Sequence, residues 1–356
     1  MANPSRHYWM DLLNVIACFA VVMLHCTTSV FLNTGDLRWH LDVVLQVLFV
    51  FAVPVFFMIS GANLLGYRKK YDTKTFFIKR FRKVVFALVA ASIITYVSFP
   101  LVSGIITGAP VKLSVGQFVE GFLHNSICDV YWFFYAIIGL YLATPVFSLV
   151  AESKKTLLYA IAVCIATSMV FPLIQRFAPD HDALALFTYP YLGGWLTYYL
   201  LGYYLVHYLP NDIKRLPIAC VGATCAAFMI AMTVKTNGDH TVLSGAFAPY
   251  DGFYAGAAGL FGLIYSSSVL LLFKHANETV GNSKAYPAIR RLSSLSLGVY
   301  AIHMLVINTF DLFIPHSLAW DIALRPLVVF GLSLALAFAG MQVMKLWRRM
   351  LKRVQA

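Results

Sequence analysis

Apolar runs of about twenty residues, separated by short polar stretches, recur along the whole chain. That length is what a helix needs to cross the hydrocarbon of a bilayer. The pattern predicts ten membrane-crossing helices, at 9–31, 43–66, 80–103, 131–150, 156–175, 190–209, 214–234, 252–273, 293–314 and 322–346. Pro54 and Pro145 fall inside two of them, which membrane bundles tolerate. The stretch Ser114 to Phe122, ahead of the fourth helix, reads as a short interfacial segment. Pro, Gly and polar residues gather between the spans, and no linker separates a soluble domain. The expected fold is an all-α polytopic membrane protein, a single domain over 1–356.

Composition agrees. Of 356 residues, 60% are hydrophobic and 12% charged, where a soluble domain carries about 25% charged. The net charge of +12 does not imply nucleic acid as a partner, because the positive charge sits in short loops. One side receives 22 of the 27 basic residues: Arg6, the run from Arg68 to Lys83, Lys154, Lys155, Lys214, Arg215, Lys274, Lys284, Arg290, Arg291 and the C-terminal group from Lys345 to Arg353. The positive-inside rule puts that side, and both termini, in the cytoplasm. Arg38, Lys112, Arg176, Lys235 and Arg325 fall on the other side. So do the acids Asp36, Asp42, Glu120, Asp129, Asp180, Asp182, Asp239, Asp251, Asp311 and Asp321. The N-terminus has no small-residue cleavage site, so it reads as no signal peptide. The six cysteines have no metal-ligand spacing, and five lie within spans as small hydrophobes.

The candidate chemistry lies inside the helices. Ionisable groups at that depth are costly and mark function. His25 lies fourteen residues beyond Asp11 in the first span, about 21 Å along a helix, past the midplane. Its imidazole suits a general base or an acyl carrier; the other reading is a structural histidine bonded to a neighbouring helix. His303, in the ninth span behind Ser293, Ser294, Ser296, Gly298 and Tyr300, is about 15 Å in. It either shares a cavity with His25, orienting a substrate or bonding a thioester carbonyl, or is structural.

Other residues carry two readings each. Asp11 caps its helix or pairs with the basic group at 79–83, or touches a ligand. Lys79, Arg80, Arg82 and Lys83 anchor the cytoplasmic surface or bind an anionic cofactor or lipid headgroup. Arg80 and Lys83 share a helical face, and arginine suits phosphate. Tyr131 and Trp132, in an aromatic run through Tyr135, form an interfacial belt or a sugar-binding surface. Arg325 snorkels outward, or pairs with Asp311, Asp321 or an acidic substrate group. Ser60 and Gly61 read as a close helix contact.

In order along the chain, these motifs resemble the membrane acyltransferase-3 family, bacterial proteins that O-acylate envelope glycans. They are Asp11-Leu12-Leu13-Asn14 through His25; Val53-Pro54-Val55-Phe56-Phe57-Met58-Ile59-Ser60-Gly61; the basic start of the third span; Tyr131-Trp132-Phe133-Phe134; and Ser294-Leu295-Ser296-Leu297-Gly298-Val299-Tyr300-Ala301-Ile302-His303. The pattern is also similar to the branch that holds the enterobacterial common antigen O-acetyltransferase. The resemblance implies His25 as the catalytic histidine and Asp11 as the family's acidic residue. It implies Arg80 and Lys83 at the family's arginine pair, where cytoplasmic acyl-CoA, most simply acetyl-CoA, binds as donor substrate without a permanently bound cofactor. Lysine at 83 and Asn14, where many members have arginine, depart from the pattern. Transfer would run across the bacterial inner membrane to a hydroxyl of an envelope glycan or lipid-linked sugar. The competing class is a transporter or flippase, since buried ionisable residues also mark transport routes.

Overall fold

The structure is a computed structural model describing residues 7–108, 111–178, 194–238, 240, 242–243 and 246–354. Arg6, Asp180, Asp182, Asp239, residues 190–193 of the sixth predicted span and the side chains of Arg348, Lys352 and Arg353 lie outside this description. The protein is an all-α polytopic membrane protein. Its helices are α1 (Tyr8–Cys26), α2 (Leu37–Phe49), α3 (Ala52–Leu64), α4 (Thr73–Thr107), α5 (Val115–Leu123), α6 (Trp132–Val150) and α7 (Lys154–Ile165). They continue as α8 (Phe171–Phe177), α9 (Trp195–His207), α10 (Arg215–Thr236), α11 (Leu260–Lys274), α12 (Asn277–Gly281), α13 (Tyr286–Asp311) and α14 (Arg325–Val354). One minimal antiparallel hairpin, Val242–Leu243 with Ala246–Phe247, interrupts the helices.

Eight helical stretches among the described residues are long and apolar enough to cross a membrane. They match eight of the ten predicted spans. Of the sixth, α9 covers 13 of the described residues; the eighth holds α11, of 15 residues, against about 20 for a full crossing. In α11 the cause is Gly252, Gly256 and Gly259, which leave the first half of the predicted span non-helical. Most of α9 is buried by protein, with Tyr198, Tyr199 and Leu200 wholly enclosed. Lys274 finishes α9, donating to the carbonyls of Leu205 and Leu209 at 2.9 Å each.

The predicted second span is two helices, α2 and α3, broken at Val50–Phe51. Pro54 explains the break: its ring excludes a helical hydrogen bond to the carbonyl of Val50. The predicted fifth span contains a π-helical turn, Ala166–Val170, just before Pro172. The predicted interfacial segment is α5, which shows Val115, Val119 and Leu123 on one exposed stripe.

One core joins α1, α3, α4, α6, α7, α9 and α13. Large apolar side chains such as Phe86, Ile105, Val146 and Leu336 face outward, as a lipid-facing surface requires. Small residues set the closest approach, α3 against α9. A Cβ on Gly61 would lie 1.8 Å from the Tyr199 carbonyl oxygen, and one on Gly202 would lie 2.2 Å from that of Met58. No side chain fits there, so the two backbones touch directly. Gly202→Ala is therefore expected to destabilise the fold by at least about 1–3 kcal/mol, read as a lower unfolding temperature in detergent. Gly331→Ala, where a Cβ meets nothing within 4 Å, should leave that temperature unchanged.

Candidate active site

Helices α1 and α13 run side by side in the same direction, joined by polar contacts at successive turns. At the end with the basic residues, Tyr286 donates to Asp11 at 2.6 Å and Ser293 donates to Asp11 at 3.0 Å. One turn on, Asn14 Nδ2 donates to the Ser293 hydroxyl at 3.0 Å, the Ser293 carbonyl at 3.2 Å and the Ser296 hydroxyl at 3.1 Å. Cys18 donates to the Ser296 carbonyl at 3.7 Å. Farther along, the rings of His25 and His303 face each other with centroids 5.3 Å apart and planes tilted 46°. The two buried histidines are thus brought together.

His303 is fully enclosed, whereas His25 keeps part of its surface accessible. His303 Nδ1 donates to the Tyr300 carbonyl at 2.8 Å, since a carbonyl can only accept. The frame is stiff. The Tyr300 hydroxyl donates to the Val130 carbonyl, and the Tyr131 hydroxyl donates to the Ala301 carbonyl at 2.8 Å and meets Thr95 at 2.8 Å. Tyr131 and Tyr300 are therefore buried and bind α13 to the start of α6. Trp132 stays partly exposed and stacks on Trp195 at 5.1 Å, which stacks in turn on Phe57 at 5.0 Å.

Two cavities open along the seam and share a wall of Asn14, Ile59, Lys83, Ser293 and Ser294. The outer one, a vestibule of about 660 Å³, is also lined by His7, Asp11, Lys70, His207 and Arg290. The inner one, of about 180 Å³, is lined by Ser60, Arg80, Phe133, Tyr141, Ser296 and Tyr300 among others. Its wall residue Tyr300 packs against His303, with ring centroids 5.5 Å apart, while neither His25 nor His303 lines either cavity. Lys70, Lys83 and Arg290 make the vestibule electropositive, and burial first, then repulsion from His207, Lys274 and Lys70, holds the His7 imidazole below its ordinary range. Arg80 has a buried Nε with no partner among the described residues.

The run of eight basic residues divides by role. Arg68 donates to Ser148 at 2.7 Å and to the Pro145 carbonyl at 3.1 Å, closing the end of α6. Lys79 lies 4.4 Å over the Tyr71 ring. Arg80, Lys83 and Lys70 line the cavities; Lys79 and Arg82, expected with them, do not. Asp11 reaches the vestibule but is separated from His25 by about 21 Å of helix, so no direct His25–Asp11 bond forms. Arg325 is at the other end, beyond the histidines. It is buried and bonded to Asp311 and, at 3.1 Å, to Asp321. Asp321 also takes Arg38 at 2.6 Å and His316 at 3.0 Å. Of the readings open for Arg325, pairing with both acids is the one observed. No group of three or more His, Cys, Asp or Glu among the described residues is placed to hold a metal.

The chain matches the sequence model of the acyltransferase-3 family, described as an acyltransferase domain, over residues 7–344. It belongs to that family. No curated relative and no solved structure matches it. The acyltransferase match runs from the vestibule's His7 through all of α13 and most of α14, so both cavities, the seam and the histidine pair lie within it. Sequence reasoning missed His7, His207, Arg290 and Trp195 as site residues, and held Lys70 only as one of the basic run. Arg290 was within reach, because Arg290, Ser293, Ser296, Tyr300 and His303 recur at the three- and four-residue steps of one helix face.

The Arg325 network yields a stability prediction. Arg325→Met leaves two carboxylates without their buried partner and should cost about 3–5 kcal/mol, measured as a drop in unfolding temperature in detergent. Adding Asp321→Asn should recover part of it. An unchanged temperature for the single variant would show that the network contributes nothing.

Proposed function

We propose that this acyltransferase moves an acetyl group from acetyl-CoA at the basic face to a hydroxyl of an envelope glycan or lipid-linked sugar at the opposite face. The observation that carries the reading is the continuity of the seam. An electropositive vestibule, an inner cavity and two facing imidazoles follow one another along α1 and α13. By the positive-inside rule the basic face and both termini are cytoplasmic, in the inner membrane of a bacterium. On this reading α9 and α11 complete ten crossings. The motif pattern supports a place near the common-antigen O-acetyltransferase branch.

The chain's residues take roles by position. Lys70, Lys83 and Arg290 are exposed cations on the vestibule wall, suited to the phosphates of the donor. Arg80, deeper and with an unpartnered Nε, offers a donor to the anionic or carbonyl groups that follow. The polar ladder of Asn14, Ser293 and Ser296 lines the way inward for the donor's extended arm. Lysine at 83 supplies a point charge rather than a planar fork, so Arg80 and Arg290 carry the directional contacts. His25, toward the opposite face, takes the proton from the acceptor hydroxyl as general base. Trp132, stacked on Trp195, presents an apolar ring face to a sugar.

The decisive experiment supplies labelled acetyl-CoA and candidate glycans to the purified protein in proteoliposomes and looks for an alkali-labile ester. Wild type is expected to form it. His25→Ala is expected to insert normally and lose transfer, by at least the roughly 100-fold that a general base contributes. Near-wild-type transfer by that variant, or glycan movement with no donor consumed, would overturn the reading. Lys70→Ala with Arg290→Ala is expected to raise the KM for acetyl-CoA by about tenfold or more, since hydrogen bonds to charged groups contribute about 1.5–3 kcal/mol, with kcat largely kept.

A further inference from the structure

A buried histidine serving only as packing would have both ring nitrogens satisfied. His303 has one. Its Nδ1–H is spent on the Tyr300 carbonyl, so in the neutral ring Nε2 carries the lone pair. That Nε2 is buried and without a partner among the described residues. The His25 ring packs against that of His303, with centroids 5.3 Å apart. His25 has no side-chain hydrogen bond among the described residues. Two imidazoles joined edge to edge by an N–H···N bond of about 3 Å have centroids about 5 Å apart. The observed 5.3 Å is close to that spacing.

We propose that His303 is a positioning residue whose Nε2 accepts one N–H of His25, which leaves the other His25 nitrogen unprotonated and turned to the acceptor hydroxyl. This rests on His25 being the general base. The tautomer of His303 is set by an immobile carbonyl. The peptide that bears it is held at Tyr300 by the bond to Val130 and at Ala301 by the bond from Tyr131. One fixed acceptor thus fixes the tautomer of its neighbour, the second-sphere task that a carboxylate performs for other catalytic histidines.

The chemical step balances without another reagent. The acceptor hydroxyl gives its proton to the free nitrogen of His25 as its oxygen bonds to the thioester carbonyl carbon. The C–S bond breaks, its electron pair leaves on sulfur, and the proton on His25 passes to that thiolate. His303 neither gains nor loses a proton; it holds the transient imidazolium through its second N–H.

The test compares His303→Gln with His303→Asn in the full chain in proteoliposomes, beside wild type and His25→Ala. A glutamine amide reaches the place of Nε2 and can accept there. An asparagine amide reaches only the place of Nδ1. The glutamine variant is expected to keep kcat within about tenfold of wild type and the asparagine variant to lose about 100-fold or more, the scale of a lost general base. KM values for acetyl-CoA and for the acceptor, and the unfolding temperature, should stay near wild type in both. Equal losses in the two variants, equal retention, a loss that falls on the acceptor KM, or a loss that tracks a lower unfolding temperature would each overturn the proposal. A wild type that consumes no acetyl-CoA overturns instead the general-base reading on which it rests.

Discussion

The register between α1 and α13 is the constraint on which the rest depends. Interhelical polar bonds in a membrane contribute only about 0.6 kcal/mol each on average. The contacts from Asp11, Asn14 and Cys18 to α13 are therefore too weak to hold the bundle together. They do fix which residue faces which. A slip of one residue turns a helix by about 100°, and His25 would then no longer face His303. Cohesion comes from elsewhere: the backbone contact of α3 with α9 at Gly61 and Gly202, and the aromatic core between α3, α6 and α9. Packing supplies the stability and the polar seam supplies the alignment.

Charge is handled differently at the two ends. At the basic end, Lys70, Lys83 and Arg290 stay exposed around an open vestibule, where water pays their solvation and an anion can replace it. At the other end, Asp321 and Arg325 are buried and paired with one another, with Asp311, Arg38 and His316 completing the network. A buried charge left unpaired there would be costly. One end leaves its cations open to solvent, while at the other end the buried arginine is paired with acids. That asymmetry suits a donor and an acceptor that approach from opposite sides.

Much of this was legible in the residues. Apolar run length found eight crossing helices, because that signal depends only on composition over about twenty positions. In the eighth, glycines shorten the described helix to α11, a local effect that hydropathy averaged over a window does not register. Pro54 was read as tolerated within a single span, whereas proline's missing bond breaks it at Val50–Phe51. His25 and His303 stood out as ionisable groups at depth, but their facing geometry needed the packing of α1 on α13. The basic run from Arg68 to Lys83 could not be divided by sequence: Arg68 closes α6 and Lys79 sits over Tyr71, contacts between residues whose partners are set by tertiary structure. Tyr131 looked like a belt or sugar residue. Its hydroxyl is instead committed to the Ala301 carbonyl and Thr95, a long-range pairing with no local signature.

The central claim is that one continuous route along α1 and α13 joins a donor bound at the basic face to an acceptor at the opposite face. The direct measurement is sidedness. Protein is reconstituted in one orientation with the glycan sealed inside the vesicles, and labelled acetyl-CoA is added outside, at the basic face. The account predicts that labelled ester accumulates on the enclosed glycan while the donor stays outside. Ester that forms only when donor and acceptor share the same compartment would contradict it.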